Sequence, residues 1–210
     1  MFSKSGSLVA SGFVLALAAC SSVAPTRSGF LDNYDSLVAR EERLLEAVHL
    51  IRGWGEKRFV LEPVEWRAGE QGFSALRIEQ LRRGFAEELQ RVLATTLVAA
   101  GNGERGVLRV RAAITAAEPV APWRNGLSFA ALGLALDNGG AAVEIEVLDP
   151  QGDSLLKASY ARPGSVFKFW RGFHPATFAR KSLRDLAREF GERVRTAVAE
   201  APEAGLEVRP

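Results

Sequence analysis

The sequence predicts an α+β fold, a two-layer sandwich whose mainly antiparallel sheet carries two amphipathic helices on one face. Three observations predict it. Residues 107–116, "VLRVRAAITA", and 141–149, "AAVEIEVLD", alternate apolar and polar side chains, the period of strands with one side on a core. Residues 75–98 and 175–199 carry apolar residues at helical spacing instead. Between "AAVEIEVLD" and "SLLKASYAR" stands "DPQGD", a turn by composition, which makes those two strands a hairpin. The expected order is strand, helix, strand, strand, strand, helix. A sheet wet on one side needs cover only on the other, and two helices supply it.

Residues 1–19 read as an export leader. Lys4 gives a positive start, and residues 8–19 form an apolar run too short to cross about 30 Å of hydrocarbon as a helix. The stretch "LALAACSS" then holds the chain's single cysteine, Cys20. One thiol has no disulfide partner within the chain, so its place directly after an apolar leader needs another reason. Small residues before a nucleophilic thiol resemble the lipobox of bacterial lipoproteins, which implies cleavage before Cys20 and acylation there. An A-x-A cleavage site at Ala16-Leu17-Ala18 is the alternative, with Cys20 a stray thiol. Two or three acyl chains make membrane attachment lasting where one does not. By the same resemblance Ser21, where an Asp would favour retention, points to the outer membrane. Residues 20–29 are expected as the lipidated cysteine and a flexible tether, residues 30–199 as one domain, and residues 200–210 as a disordered tail.

Within the domain, "DSLVAREERLLEAV" has leucines near helical spacing, while "AVHLIR" fits a short strand. A helix or irregular arm over residues 35–46, followed by an edge strand, is the expectation. "RFVLEPVEW", residues 58–66, reads as a strand with Pro63 at an edge or bulge. Ser74 precedes the first long helix, whose stripe is Ile78, Leu81, Phe85, Leu89, Val92 and Thr96. In residues 107–116, Leu108, Val110, Ala112, Ile114 and Ala116 share the core side, with Arg109, Arg111 and Thr115 on the other. In the next strand Val143, Ile145 and Val147 face inward, and Glu144 and Glu146 face water. Phe178, Leu183, Leu186, Phe190, Val194 and Ala197 form the stripe of the last helix.

"SGFL" with Tyr34, then "LEPVEW", "VLRVRAAITAAEPV", "AAVEIEVLDPQGDSLLKA" and "DLAREFGERVRTAV" together resemble the bacterial lipoproteins grouped as domain of unknown function 3313. The likeness runs over most of residues 28–198. It implies a cell-envelope lipoprotein and brings no catalytic residues with it.

Composition excludes several classes. A chain that is 47% hydrophobic and 25% charged can build one core without staples. A net charge of +2 gives no field for general nucleic-acid binding, so no nucleic-acid partner is expected. No cofactor is expected, and no metal: His49 and His174 are the only histidines, and nothing near them has ligand spacing. Glu144 and Glu146 on one strand could do acid–base work on a glycosidic bond, but a solvated strand face explains them as well. "LSFAALGLAL", residues 127–136, carries no charge and fits a packed loop, contact with lipid or a partner, or a pore wall. "FKFWRGFH", residues 167–174, sets Phe169, Trp170 and Phe173 beside Arg171. Aromatic rings next to cations suit headgroups, glycans or a protein interface, or else a hydrophobic plug. The expected function is thus a non-catalytic binding or accessory module, anchored at the outer membrane by acyl chains on Cys20 and facing the periplasm. Its partner would be an envelope protein, a lipid or a glycan. The alternatives are an oligomeric component of an outer-membrane pore and, after it, a glycan-acting hydrolase.

Overall fold

A computed structural model describes residues 23–41, 44–48, 54, 56–69, 72–101, 103–118, 140–163 and 177–201. Among these the elements run β1 (Val38–Glu41), β2 (Leu44–Val48), β3 (Arg58–Leu61), β4 (Glu65–Trp66), α1 (Ala75–Leu93), β5 (Val98–Ala99), β6 (Leu108–Glu118), β7 (Gly140–Leu148), β8 (Ser154–Pro163) and α2 (Thr177–Glu200). The α+β expectation holds, with both helices present. The sheet follows the path β1-β2-β8-β7-β6-β3-β5, with β4 beside β6. β1 to β2, β2 to β8, β8 to β7 and β7 to β6 are antiparallel. β3 and β4 lie parallel to β6, and β5 parallel to β3, so the sheet is mixed.

The core lies between the helices and one sheet face. Leu81, Phe85, Leu89, Leu186 and Phe190 pack in one cluster with Val110, Ile114, Val143 and Ile145, as their periodicities predict. Ser74 caps α1 by accepting from the Arg77 backbone N–H. The expected helix to residue 98 ends instead at Leu93. The Thr95 hydroxyl donates to the Val92 carbonyl, and Val98 joins β3 as strand β5. β-branched residues in "TTLV" weaken helix continuation. The expected strand 58–66 is divided in the same way: Pro63 has no N–H to donate, and the chain re-pairs at Glu65.

The arm expected as helical is a hairpin, β1 to β2, whose second strand extends the ladder of β8. Leucine spacing here fits either structure, and the open β8 edge decides for strand. The two helices approach closely at Gly191, where a Cβ would fall 2.9 Å from the Val92 side chain.

Glu88 on α1 also ties the helices together. It accepts from Arg91 Nη2 at 2.7 Å and from Arg188 Nε of α2 at 2.8 Å. The Arg91 hydrogen bonds, then those of Arg188, hold its carboxyl at about 2, below the usual range. A depressed folded value gives stability that is present above the unfolded value of about 4.5 and lost as pH falls toward 2. A pair at the surface contributes up to about 1 kcal/mol. Glu88→Gln should therefore lower Tm slightly at neutral pH and flatten its fall between those pH values. An identical acid slope in the variant would show that Glu88 is not a source of that fall.

Candidate functional site: a segment latched onto the second sheet face

β7 runs through the middle of the sheet, with Glu144 and Glu146 on the face away from the helices. The alternation predicts these carboxylates in water. Their side of the sheet is right and their surroundings are not: they are 0% and 1% exposed. What covers Glu144 is the segment of residues 23–34, laid across β8, β7 and β6. Residues 23–29 were expected to be free tether. They are docked instead, because their hydroxyls and backbone satisfy groups on the sheet.

Val23 packs on Ala142 and Ala161. Thr26 Oγ1 lies 3.0 Å from Glu144 Oε1 and 2.6 Å from the hydroxyl of Thr115. Thr115 sits at a register shift between Ile114 and Ala116, which aims an extra residue at this spot and turns Ala116, expected on the core side, onto the cluster of Val23, Ala142 and Ala161. The Thr26 carbonyl accepts from the Ser159 hydroxyl. Ser28 donates twice to Glu144, from its N–H at 2.9 Å and from its hydroxyl at 2.8 Å. The Tyr34 hydroxyl donates to Glu144 Oε2 at 2.7 Å and accepts from the N–H groups of Gly29 and Leu31. Gly29 has φ 77°, a conformation that favours glycine. Burial, followed by the hydrogen bond to Glu144, raises the Tyr34 hydroxyl above its ordinary value.

Glu144 therefore has four donors from one segment, which fill the roughly four lone-pair positions of a carboxylate. Among the described residues no cation pairs with it. Glu146, two residues on, is charge-paired instead, with Arg111 Nη1 at 3.5 Å and Lys157 Nζ at 3.3 Å. The Arg111 and Arg67 guanidiniums lie 5.0 Å and 5.3 Å from the centroid of the Phe30 ring. Phe30 is buried with Leu31 on Ala113. The segment is thus fixed at three levels: an apolar foot at Val23, a carboxylate clasp at Glu144 and a cation-flanked ring at Phe30.

Acid–base use of Glu144 would require this segment to leave, since its oxygens are occupied and shielded. Among the described residues no group of three metal-binding side chains gathers, and no helix is long and apolar enough to cross a membrane.

Cys20, Phe169, Trp170, Arg171, Phe173, His49, His174 and residues 127–136 lie outside the described residues. Their points of attachment do not. Residues 119–139 leave β6 after Glu118 and enter β7 at Gly140, and those two residues are paired. Gly140 also pairs with Pro163, after which residues 164–176 begin. Val23, three residues after Cys20, packs on Ala142 and Ala161, a pair of partners two positions from that edge. The cysteine, the uncharged stretch and the aromatic stretch therefore all join the domain at one end of the sheet.

The clasp residues Thr26, Ser28 and Tyr34 escaped the sequence reading, although "SGFL" with Tyr34 is a block of the family resemblance. A signal was present on the sheet: Thr115, Ser159 and Lys157 beside Glu144 and Glu146 make a polar patch on central strands.

A model of the family described as "Protein of unknown function (DUF3313)" matches residues 26–194, from the clasp to the last helix. No curated protein matches the sequence. Among solved structures, a PelC dodecamer from Paraburkholderia phytofirmans is similar at 10% identity and a TM-score of 0.42, over 69% of this chain and 96% of that one. A singly substituted PelC dodecamer from the same organism has 13% identity and a TM-score of 0.40, over 74% and 95%. Likeness of this degree carries nothing about assembly or ligand to this chain.

Proposed function

The chain belongs to the family of proteins of unknown function DUF3313, and from that premise and its geometry we propose that it is a non-catalytic module of the bacterial cell envelope, held at the outer membrane by acyl chains on Cys20 and facing the periplasm. One observation carries the reading: Val23, the Glu118–Gly140 pair and Pro163 stand at the same end of the sheet. Two residues separate Cys20 from the docked Val23, and the three steps of chain between them span at most about 11 Å. An acylated Cys20 thus holds that end against the bilayer instead of letting the domain swing free. The uncharged residues 127–136 and the aromatic residues 167–174 are tied to the same end. Phe169, Trp170, Arg171 and Phe173 are then within reach of headgroups, or of an envelope protein or glycan beside them, and Trp170 with Arg171 is the pair we assign to contact.

The pore alternative has one observation in its favour. Among the described residues β1 is the last strand on its side of the sheet, and Val38 in it is 59% exposed. An uncovered edge can pair with a second copy. Rings trapped by crosslinking in detergent would favour that reading.

Two variants test the proposal. Cys20→Ala should accumulate as precursor, as the wild type does under globomycin, and should not float with outer membranes at high salt. Trp170→Ala should keep the wild-type Tm while losing crosslinked partners, since an interface aromatic often contributes more than about 2 kcal/mol to binding and a plug contributes to stability instead. Flotation of Cys20→Ala would sink the anchor. Unfolding of Trp170→Ala, or an unchanged set of partners, would sink the contact assignment.

A further inference from the structure

α1 and α2 run side by side in the same direction. Residues near Leu81 face those near Leu183, Glu88 meets Arg188, and Val92 meets Gly191. Between their outer surfaces lies a groove of about 580 Å³. Leu81, Phe85 and Leu183 are buried beneath it. Its walls carry cations. Arg91 is spent on Glu88, but Arg83, Arg180 and Arg184 form no ion pair among the described residues. Glu87, one turn after Arg83 on α1, also lines the groove and forms no ion pair among the described residues.

Gly84 opens the middle of the groove. A glycine inside a helix is destabilising, and one is retained where backbones must approach. Gly191 meets that need. Gly84 does not, since a Cβ there would touch nothing within 4 Å. What its missing side chain leaves is space between the arginines. Guanidinium forks match phosphate oxygens in bidentate fashion, and an apolar floor beneath them suits the carbon part of a headgroup.

The groove also has a direction. Tyr160 of β8 meets Phe190 of α2, with ring centroids 6.4 Å apart. Arg162, nearer the end of β8, pairs with Glu189 at 3.0 Å and Asp185 at 3.5 Å. Helix numbering thus falls toward the end of the sheet that bears Val23 and Pro163. Arg180 and Arg184 lie further that way.

We propose that this groove binds the phosphate of an anionic lipid headgroup, with Arg83, Arg180 and Arg184 as the binding residues. The choice of a lipid over soluble phosphate rests on the membrane-facing orientation proposed above. The test is run in uncharged detergent, where anchoring through Cys20 plays no part, so that its failure is separable from failure of the flotation test. The full chain is titrated with phosphatidylglycerol, phosphatidylcholine or inorganic phosphate, with Tm and native-mass lipid adducts as readouts. Phosphatidylglycerol should raise Tm and form adducts, and the other two should not. Arg83→Glu with Arg184→Glu should weaken phosphatidylglycerol binding at least tenfold. Gly84→Trp, which fills the groove without changing charge, should do the same while keeping the wild-type circular dichroism. Equal shifts from phosphatidylcholine, or phosphatidylglycerol binding retained in the double-arginine variant, would overturn the site. A shift from inorganic phosphate as large as that from phosphatidylglycerol would overturn the lipid assignment.

Discussion

Phe190→Ala should destabilise the domain by about 3–5 kcal/mol, the cost typical of truncating a buried phenylalanine. Phe190 is fully buried where α2 crosses β8, and its ring meets Tyr160 edge to face, with 89° between planes. Removing it leaves a cavity that Tyr160 cannot fill, because that residue belongs to a strand paired on both sides. Phe85 of α1 is buried in the same core cluster, and Phe85→Ala should cost about as much. Against a total stability of about 5–15 kcal/mol for a domain, either loss is large. Urea midpoints read by circular dichroism measure it, with Phe190→Leu as a control that keeps most of the volume and loses less. A wild-type midpoint in either alanine variant would mean that its helix does not pack on the sheet as described.

The helices and the long strands were legible because burial imposes a period on them. Ile145 and Val147 alternate with glutamates, and Leu81, Phe85 and Leu89 recur each turn, since one side of each element meets the core. The turn at 149–153 was legible for a local reason: the Asp149 carboxylate accepts from the N–H groups of Gln151 and Asp153. What could not be read locally was decided by distant chain. Alternation tells which side of the sheet a residue takes, not what lies over that side. Glu144 lies more than 100 residues from Ser28 and Tyr34, and no spacing rule connects them. The β1–β2 hairpin is a similar case, since its leucines fit two periods and the free edge of β8 selects one. The family resemblance contained the clasp residues in "SGFL" and Tyr34 without the physical reason for them, which is the carboxylate they meet.

Glu144→Ala should release residues 23–34 from the sheet. The carboxylate accepts four hydrogen bonds from that segment, and hydrogen bonds to a charged group contribute about 1.5–3 kcal/mol each. Their sum is not the expected loss. The segment can undock, and its donors then find water, so the penalty is capped at the free energy of docking. Local opening should therefore exceed global destabilisation. Amide exchange at Ser28 should speed up at least about 30-fold, the equivalent of about 2 kcal/mol, while the α1 amides change far less. Glu144→Gln is the finer probe: it keeps the volume but turns an NH2 group toward donors, so it should also open the segment. Tyr34→Phe removes one donor to Glu144 and leaves the Gly29 and Leu31 N–H groups without their acceptor. Alkali supplies an independent handle. Because the Tyr34 hydroxyl is raised when docked, its contribution is intact below the ordinary value of 10.0 and lost as pH climbs through the raised one. If Ser28 exchange in Glu144→Ala matches the wild type, the clasp is not what holds the segment. Val23, Phe30 and Leu31 would then hold it by apolar burial alone, and the polar cluster on β7 would need another explanation.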